Sequence, residues 1–240
     1  MNVQVLHEEH QKIWLHVSGV PVSYLNAVRR AVISDLQGFA IDRVDFYENT
    51  SAMFNEYLAN RLGLVPLTFE EGASQDVLFS MDVEGVDEDK TVYSGDLVSQ
   101  DANIKAFYTH IPLIKLGKGQ RLRFEATARV GTAKEHARFQ SAVSSYGHLE
   151  EYKLTDACKK CQKPIKVRES VLAGKILASK LPDLSQVCED CETKVEPPKK
   201  SDSFILFIES YNNLSARQQL FRALTVLEHS GKKIVEDLKS

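Results

Sequence analysis

The chain is 240 residues long, 43% hydrophobic and 26% charged, with 30 Lys and Arg against 33 Asp and Glu. That apolar fraction excludes wholesale disorder, and a formal charge of −3 excludes a protein that grips nucleic acid by bulk basic charge. No apolar run approaches the ~18 residues needed to cross a bilayer. Residues 1–20 lack the basic start, apolar centre and small-residue cleavage site of a signal peptide, so a cytoplasmic location is expected.

The predicted elements begin with a hairpin. Val3 and Val5 pair with the alternating run Ile13, Leu15 and Val17, with the polar stretch Glu8 to Gln11 as its turn. Pro21 opens a helix from Val22 to Leu36, on which Leu25, Val28, Val32 and Leu36 recur at helical spacing; Gly38 is read as its stop. A strand follows from Ala40 to Tyr47. Thr50 or Ser51 is placed to cap a second helix, Met53 to Leu62, which ends at Gly63. The stretch from Leu64 to about Glu150 reads as mostly β, with strands at Val77 to Val83, Ala106 to Ile114 and Arg121 to Val130, and a charged loop from Glu84 to Lys90. Gly117-Lys118-Gly119 has neither the spacing nor the following Lys-Ser/Thr of a phosphate-binding loop and is read as a turn. Lys153 to Lys200 is rich in lysine and closes on Pro197-Pro198-Lys199-Lys200, a boundary signal. The chain finishes with a strand, Phe204 to Ile208, and a helix from Ser215 to Leu238. Leu220, Leu224, Leu227, Ile234 and Leu238 make one stripe of that helix, widened by Phe221, Ala223 and Val235. So wide a stripe needs a large partner surface. The helix Val22 to Leu36 is the obvious local one, and pairing them makes the middle of the chain an insertion.

The sharpest chemical signal is the cysteine set. Cys158, Cys161, Cys188 and Cys191 form two CxxC pairs separated by 26 residues. Each CxxC turn lets both sulfurs reach one ion, and two turns close a tetrahedral shell with no open position, so a metal there is structural. The alternative is free thiols or disulfides. Enzyme motifs are missing: there is no HExxH, no GxSxG, and nothing sets Glu56 or Asp87 to Asp89 apart from solvated charge. The run Asn26-Ala27-Val28-Arg29-Arg30 places two guanidinium groups beside an apolar stripe, which suits the edge of an interface. A basic excess of only four in Lys153 to Lys200 (eleven basic against seven acidic) is too weak to argue direct DNA contact.

Longer runs carry a family resemblance. VSYLNAVRRAVISDLQGFAID (residues 22–42) resembles the first helix and strand of the D-type assembly subunit of archaeal RNA polymerase, counterpart of the bacterial alpha amino-terminal domain and of the third-largest subunit of eukaryotic RNA polymerase II. YENTSAMFNEYLANRLGLVPL (47–67), VYSGDLVSQD (92–101), IPLIKLGKGQRLRFEATARVGTAKEHARFQ (111–140) and FILFIESYNNLSARQQLFRAL (204–224) are similar to later signatures of that family, in order along nearly the whole chain.

The resemblance implies an α+β fold in which residues 1–45 and 203–240 form an alpha-subunit-like dimerisation domain. Residues 46–152 form an inserted β-rich domain, and 153–202 a small Cys-containing, ferredoxin-like third domain. It implies a non-catalytic assembly subunit in transcription. Such a subunit pairs with subunit L, is joined by N and P, and is the platform for the second-largest and largest subunits. DNA is reached only through the complex, and no membrane is involved. Leu25, Val28, Val32, Leu220, Leu224 and Leu227 are expected at the dimer interface. Asn26, Arg29 and Arg30 are expected toward a large subunit, with Asn55, Glu56 and Arg61 as structural or docking residues. Family members with iron–sulfur clusters use the run C-x₂-C-x₂-C-x₃-C. Laid on Cys158, that template puts Pro164 and Arg168 at its third and fourth positions; laid on Cys188, it puts Lys194 and Pro198 there. The expectation is therefore one metal centre on all four cysteines, zinc favoured, with an iron–sulfur cluster or a metal-free thiol or disulfide state as alternatives. The rival from another class is a stand-alone redox or metal protein.

Overall fold

The computed structural model describes residues 1–70, 72, 76–86, 89–151, 168–171, 178–181 and 199–239. In chain order the elements are β1 (Asn2–Glu8), β2 (Lys12–Ser18), α1 (Val22–Arg30), a π-helical turn Ala31–Asp35, β3 (Gln37–Asn49), α2 (Asn55–Gly63), β4 (Val77–Glu84), β5 (Lys90–Tyr93), β6 (Val98–Ser99), β7 (Pro112–Leu116), β8 (Arg121–Thr132), β9 (Ala142–Glu151), β10 (Arg168–Val171), β11 (Ala178–Leu181), β12 (Lys199–Ser210) and α3 (Ala216–Asp237). Mixed antiparallel sheets with few helices make this an α+β chain. The Cys-containing third domain expected at 153–202 lies outside the described residues, apart from the β10–β11 hairpin and the start of β12.

Two compact units divide the chain. One comprises Met1–Glu9, Ile13–Asn26 and Ser145–Phe207; the other His10–Lys12, Ala27–Ser144 and Ile208–Ser240. The first is organised by a sheet of order β1-β2-β12-β9. Its hairpin forms as the alternation requires: Val3 faces Val17 and Val5 faces Leu15, while Ile13, Leu15 and Val17 are buried. Trp14 stacks on the opposite face between His7 and Phe207.

The second unit holds a sheet of order β3-β8-β4-β6 and the pair β5-β7. Strict alternation along β8 buries Leu122, Phe124, Ala126 and Ala128 and turns Arg121, Arg123 and Glu125 outward. β4 answers with buried Val77, Phe79 and Met81. Register sets Val77 opposite Ala128 and Phe79 opposite Ala126, large against small, while Met81 packs opposite Phe124. Leu58 and Leu62 of α2 close the same core; each such side chain contributes about 1.5–3 kcal/mol by leaving water. Two irregularities in β3, at Ile41/Arg43 and Phe46/Glu48, reset its alternation against β8.

Several local expectations are corrected. The helix from Val22 changes pitch at Ala31, where the Ser34 hydroxyl donates to the Arg30 carbonyl four residues back and loosens the ladder. Gly38 is a strand residue rather than the helix stop. It lies opposite Gly131, and a Cβ on Gly38 would stand 2.6 Å from the Phe139 carbonyl oxygen. A Cβ on Gly131 would meet the Phe139 ring at 2.8 Å. Neither Thr50 nor Ser51 caps α2, whose N-cap is Phe54; Asn49 and Ser51 instead close a turn one step earlier. The strand expected at Ala106 to Ile114 begins only at Pro112, because the backbone before it bonds elsewhere: Phe107 N–H to Pro66, and the Thr109 carbonyl to Gly95. Gly117-Lys118-Gly119 is the expected turn, its amides already used by the Gln120 side chain and the Gly85 carbonyl.

The glycine pair makes a direct prediction. Gly38→Ala destabilises the chain by about 1–3 kcal/mol through forced backbone displacement, whereas Gly147→Ala, with nothing within 4 Å, leaves the urea midpoint within error. Equal midpoints for the two variants contradict the close approach of Phe139.

Candidate docking surface

α3 is built in two halves of different character. Its start is fixed by a reciprocal cap: the Ser215 hydroxyl accepts from Gln218 N–H at 3.2 Å, and the Gln218 side chain accepts from Ser215 N–H at 2.8 Å. The first turns are held by polar and apolar contacts together. Ala216, Gln219 and Ala223 are buried, and Gln219 Nε2 donates to Asn212 Oδ1 at 2.9 Å and to Ser210 Oγ at 3.2 Å. Arg222 donates to the Gln37 carbonyl at 2.8 Å and lays its guanidinium 4.3 Å over the Phe69 ring. This half of the helix packs against the π-helical turn Ala31–Asp35.

Beyond Leu227 every described residue of the helix is exposed. Phe221 is 60% exposed, Ile234 61%, Val235 50% and Leu238 82%. With about 1.5 Å of rise per residue, the uncovered stretch from Glu228 onward runs on the order of 15 Å past its anchored root. Exposed large apolar side chains in series mark an interaction surface.

The six residues expected at a dimer interface separate into two groups. Leu220, Leu224 and Leu227 are half-buried and border the open stripe. Leu25, Val28 and Val32 are 1%, 2% and 0% exposed, so they face the interior of this chain and leave no surface for a partner. Of Asn26, Arg29 and Arg30, the first two are half-buried and Arg30 is exposed. In the second signature, Asn55 accepts from Asn49 at 2.7 Å and Arg61 donates to the Pro112 carbonyl, so both serve the local fold, while Glu56 is exposed in the first turn of α2.

Sequence reading missed a second exposed apolar set on α2. Phe54 and Tyr57 stand one turn apart with ring centroids 6.5 Å apart, and together with Ala52, Met53, Asn60, Arg61, Ile114 and Lys115 they line a cavity of about 550 Å³. The signal was present as two aromatic residues at the start of α2: Phe54 at its N-cap, and Tyr57 on a face turned away from Leu58 and Leu62. A cavity of about 300 Å³ lies where residues 64–67, 137–141 and 211–212 meet, and the buried Ser141 hydroxyl on its wall has no hydrogen-bond partner among the described residues.

Charge chemistry on the described surface is structural in kind. Arg129 bonds Asp42 at 2.8 Å and Glu135 at 3.1 Å, which raises the guanidinium pKa. The same contact with Arg129, then the Thr132 backbone N–H, holds the Glu135 carboxyl below its ordinary value. Arg121 does the same for Asp82. Burial raises the Tyr211 hydroxyl. Each shift is explained by a surface pair or by burial, not by a converging acid–base set. Among the described residues no group of three or more His, Cys, Asp or Glu side chains is placed to hold a metal, and Cys158, Cys161, Cys188 and Cys191 lie outside them.

Because the folded pKa of Glu135 is depressed, its contribution to stability is complete above the ordinary value of 4.5 and is lost as pH falls through the lower folded value. Glu135→Gln is therefore expected to lower the urea midpoint at pH 7, with the difference from wild type shrinking steadily as pH drops below 4.5. A difference independent of pH would remove the charge-based account of the Arg129 contact.

Comparison with known proteins places these features. The family described as the RNA polymerase Rpb3/RpoA insert domain matches residues 37–158. The chain is 32% identical, over an alignment 259 positions long, to the DNA-directed RNA polymerase subunit Rpo3 of Pyrococcus furiosus, covering 100% of this chain and 97% of that protein. It is 34% identical to Rpo3 of Thermococcus kodakarensis, covering 98% of this chain and 82% of the relative. Against Rpo3 of Halobacterium salinarum it is 40% identical over 152 residues, 62% of this chain and 60% of the relative.

Proposed function

The chain belongs to the Rpo3, or D, family of DNA-directed RNA polymerase subunits, and from that premise we propose that it is a non-catalytic assembly subunit whose α3 pairs with the small subunit L. The observation that carries this reading is the uncovered half of α3: an apolar stripe attached rigidly at its root and open to solvent at its end. A subunit that completes itself only in a complex needs such a face, whereas a stand-alone redox carrier does not. Leu220, Leu224 and Leu227 continue the stripe toward the root, which rests on the π-helical turn Ala31–Asp35.

The same reading makes the described body a platform. The α2 surface around Phe54 and Tyr57 and the exposed Arg30 are available for subunits N and P and for the second-largest and then the largest subunit. Nucleotide addition belongs to those large chains, and DNA is reached through them. No helix among the described residues is long and apolar enough to cross a membrane, in keeping with work in the cytoplasm. For the four cysteines we favour one structural zinc, since four thiolates close its tetrahedral shell; an iron–sulfur cluster or a metal-free state are the alternatives.

Ile234→Glu places a charge on a side chain that is 61% exposed in the chain alone, so folding is retained while pairing suffers. Titration with purified subunit L is expected to show a loss of about 2 kcal/mol or more, roughly thirtyfold in affinity. Binding at wild-type strength would sink the α3 assignment. Metal content gives an independent check. The anaerobically purified pair is expected to carry about one zinc per chain, lost in Cys188→Ser. Iron with acid-labile sulfide would mean a cluster instead, and no metal would leave thiols or disulfides.

A further inference from the structure

The open stripe of α3 has a glycine at its centre. Gly231 follows Leu227 by four residues and Leu224 by seven, and precedes Ile234 by three, Val235 by four and Leu238 by seven. Those intervals put all six positions on one face of an α-helix. Glycine there is costly: relative to alanine, a mid-helix glycine weakens helix formation by roughly fivefold in equilibrium constant. Among the described residues nothing in the packing requires it. A Cβ built on Gly231 would have no heavy atom within 4 Å, in contrast to Gly38 and Gly131, whose missing side chains make room for Phe139. The φ of Gly231 is not in the left-handed region either, so no backbone strain accounts for it.

We infer that Gly231 is a notch in the docking face, the point at which a helix of subunit L crosses α3 at close range. The inference rests on the pairing proposed above and adds where the contact is tightest. The separation of two packed helices is set by the side chains at their contact point, and a glycine there lets the partner's backbone or a bulky side chain settle between Leu227 on one side and Ile234 and Leu238 on the other. The notch sits on a convex helix face, which encloses no small molecule but suits another rod. Its flank asks for no charge from the partner, because Glu228 and Lys232 already pair with each other at 2.6 Å. An apolar helix is therefore the occupant that fits, and the family's multi-subunit setting makes another polymerase chain its source.

The test separates folding from pairing, because the two effects have opposite signs. Gly231→Ala and Gly231→Leu are made in the full chain. Thermal midpoints are measured on each chain alone, and affinities by titration with purified subunit L, with Ile234→Glu alongside. Both substitutions are expected to raise the midpoint by about 2–4 °C, since helix propensity improves and the site is open. Both are expected to weaken binding of L, Gly231→Leu by about tenfold or more, because the filled notch holds the helices apart. If Gly231→Leu binds L like wild type while Ile234→Glu has lost it, the stripe pairs with L but the notch inference is wrong. If both bind like wild type, the pairing reading fails as well. A midpoint that falls in Gly231→Leu means the site is filled within the chain and overturns the notch. So does a self-dimer of the isolated chain that Gly231→Leu disrupts with L binding unchanged, which would make a second copy the occupant.

Discussion

The structure depends on one close approach: two glycines, Gly38 and Gly131, facing each other across the β3–β8 ladder so that Phe139 can lie on them. Without that seat the connection from β8 to β9 has no place to fold back. Much else is tied to the same spot. Arg129 stacks its guanidinium 4.7 Å over the Phe139 ring while bonding Asp42 and Glu135. Arg138, next in the chain to Phe139, reaches the Asp42 carbonyl and carboxylate. Lys134 of the same connection pairs with Asp35 at the end of the π-helical turn. The carbonyl of Gln37, adjacent to Gly38, accepts from Arg222 of α3. The root of the docking helix is thus positioned by the same few residues that let β3 and β8 accommodate an aromatic ring.

That arrangement explains why α3 can leave its second half bare. An isolated helix of about a dozen residues is marginal in water, because nucleation is unfavourable and propensity is weak. Here the nucleus is supplied by the Ser215–Gln218 cap and by Gln219, Arg222 and Ala223, all fixed against the body. The remaining turns propagate from an existing helix, helped at the surface by the Glu228–Lys232 pair, which also holds the Glu228 carboxyl below its ordinary value. Rigidity at the root is what makes an exposed stripe useful, since a preorganised surface loses less conformational entropy on binding than a flexible one.

Much of this was legible in the sequence, and the gaps have physical causes. Alternation in Ile13 to Val17 and in Leu122 to Ala128, and helical spacing in Leu220 to Leu238, declare their elements because one face of each is buried. β9 did not, since a strand carrying Ser144, Ser145, Gly147 and His148 shows little apolar periodicity. Gly38 misled because a glycine after a helical run is most often a C-cap, and only the fold reveals that its neighbour is Phe139, far along the chain. The docking stripe was partly visible for the same reason. Leu25, Val28 and Val32 have the pattern of an interface and the pattern of a core, and periodicity alone does not distinguish the two. Exposure does, and it assigns them to the interior.

The distinction between those two groups of apolar residues shows how a subunit of this kind divides its hydrophobic surface. The residues on the first long helix serve folding, so the chain has a core before it meets any partner. Those on the far half of α3 do nothing for the fold: Ile234, Val235 and Leu238, with Phe221 nearer the root, together expose enough apolar surface to be a liability in a lone chain. They are tolerable only if the chain works with that face covered, which is the condition of a polymerase subunit. Gly231 fits the same logic. It weakens the helix when the chain is alone and is useful only when a second helix is present, so its advantage, like that of the exposed leucine and isoleucine around it, is realised in the assembled state.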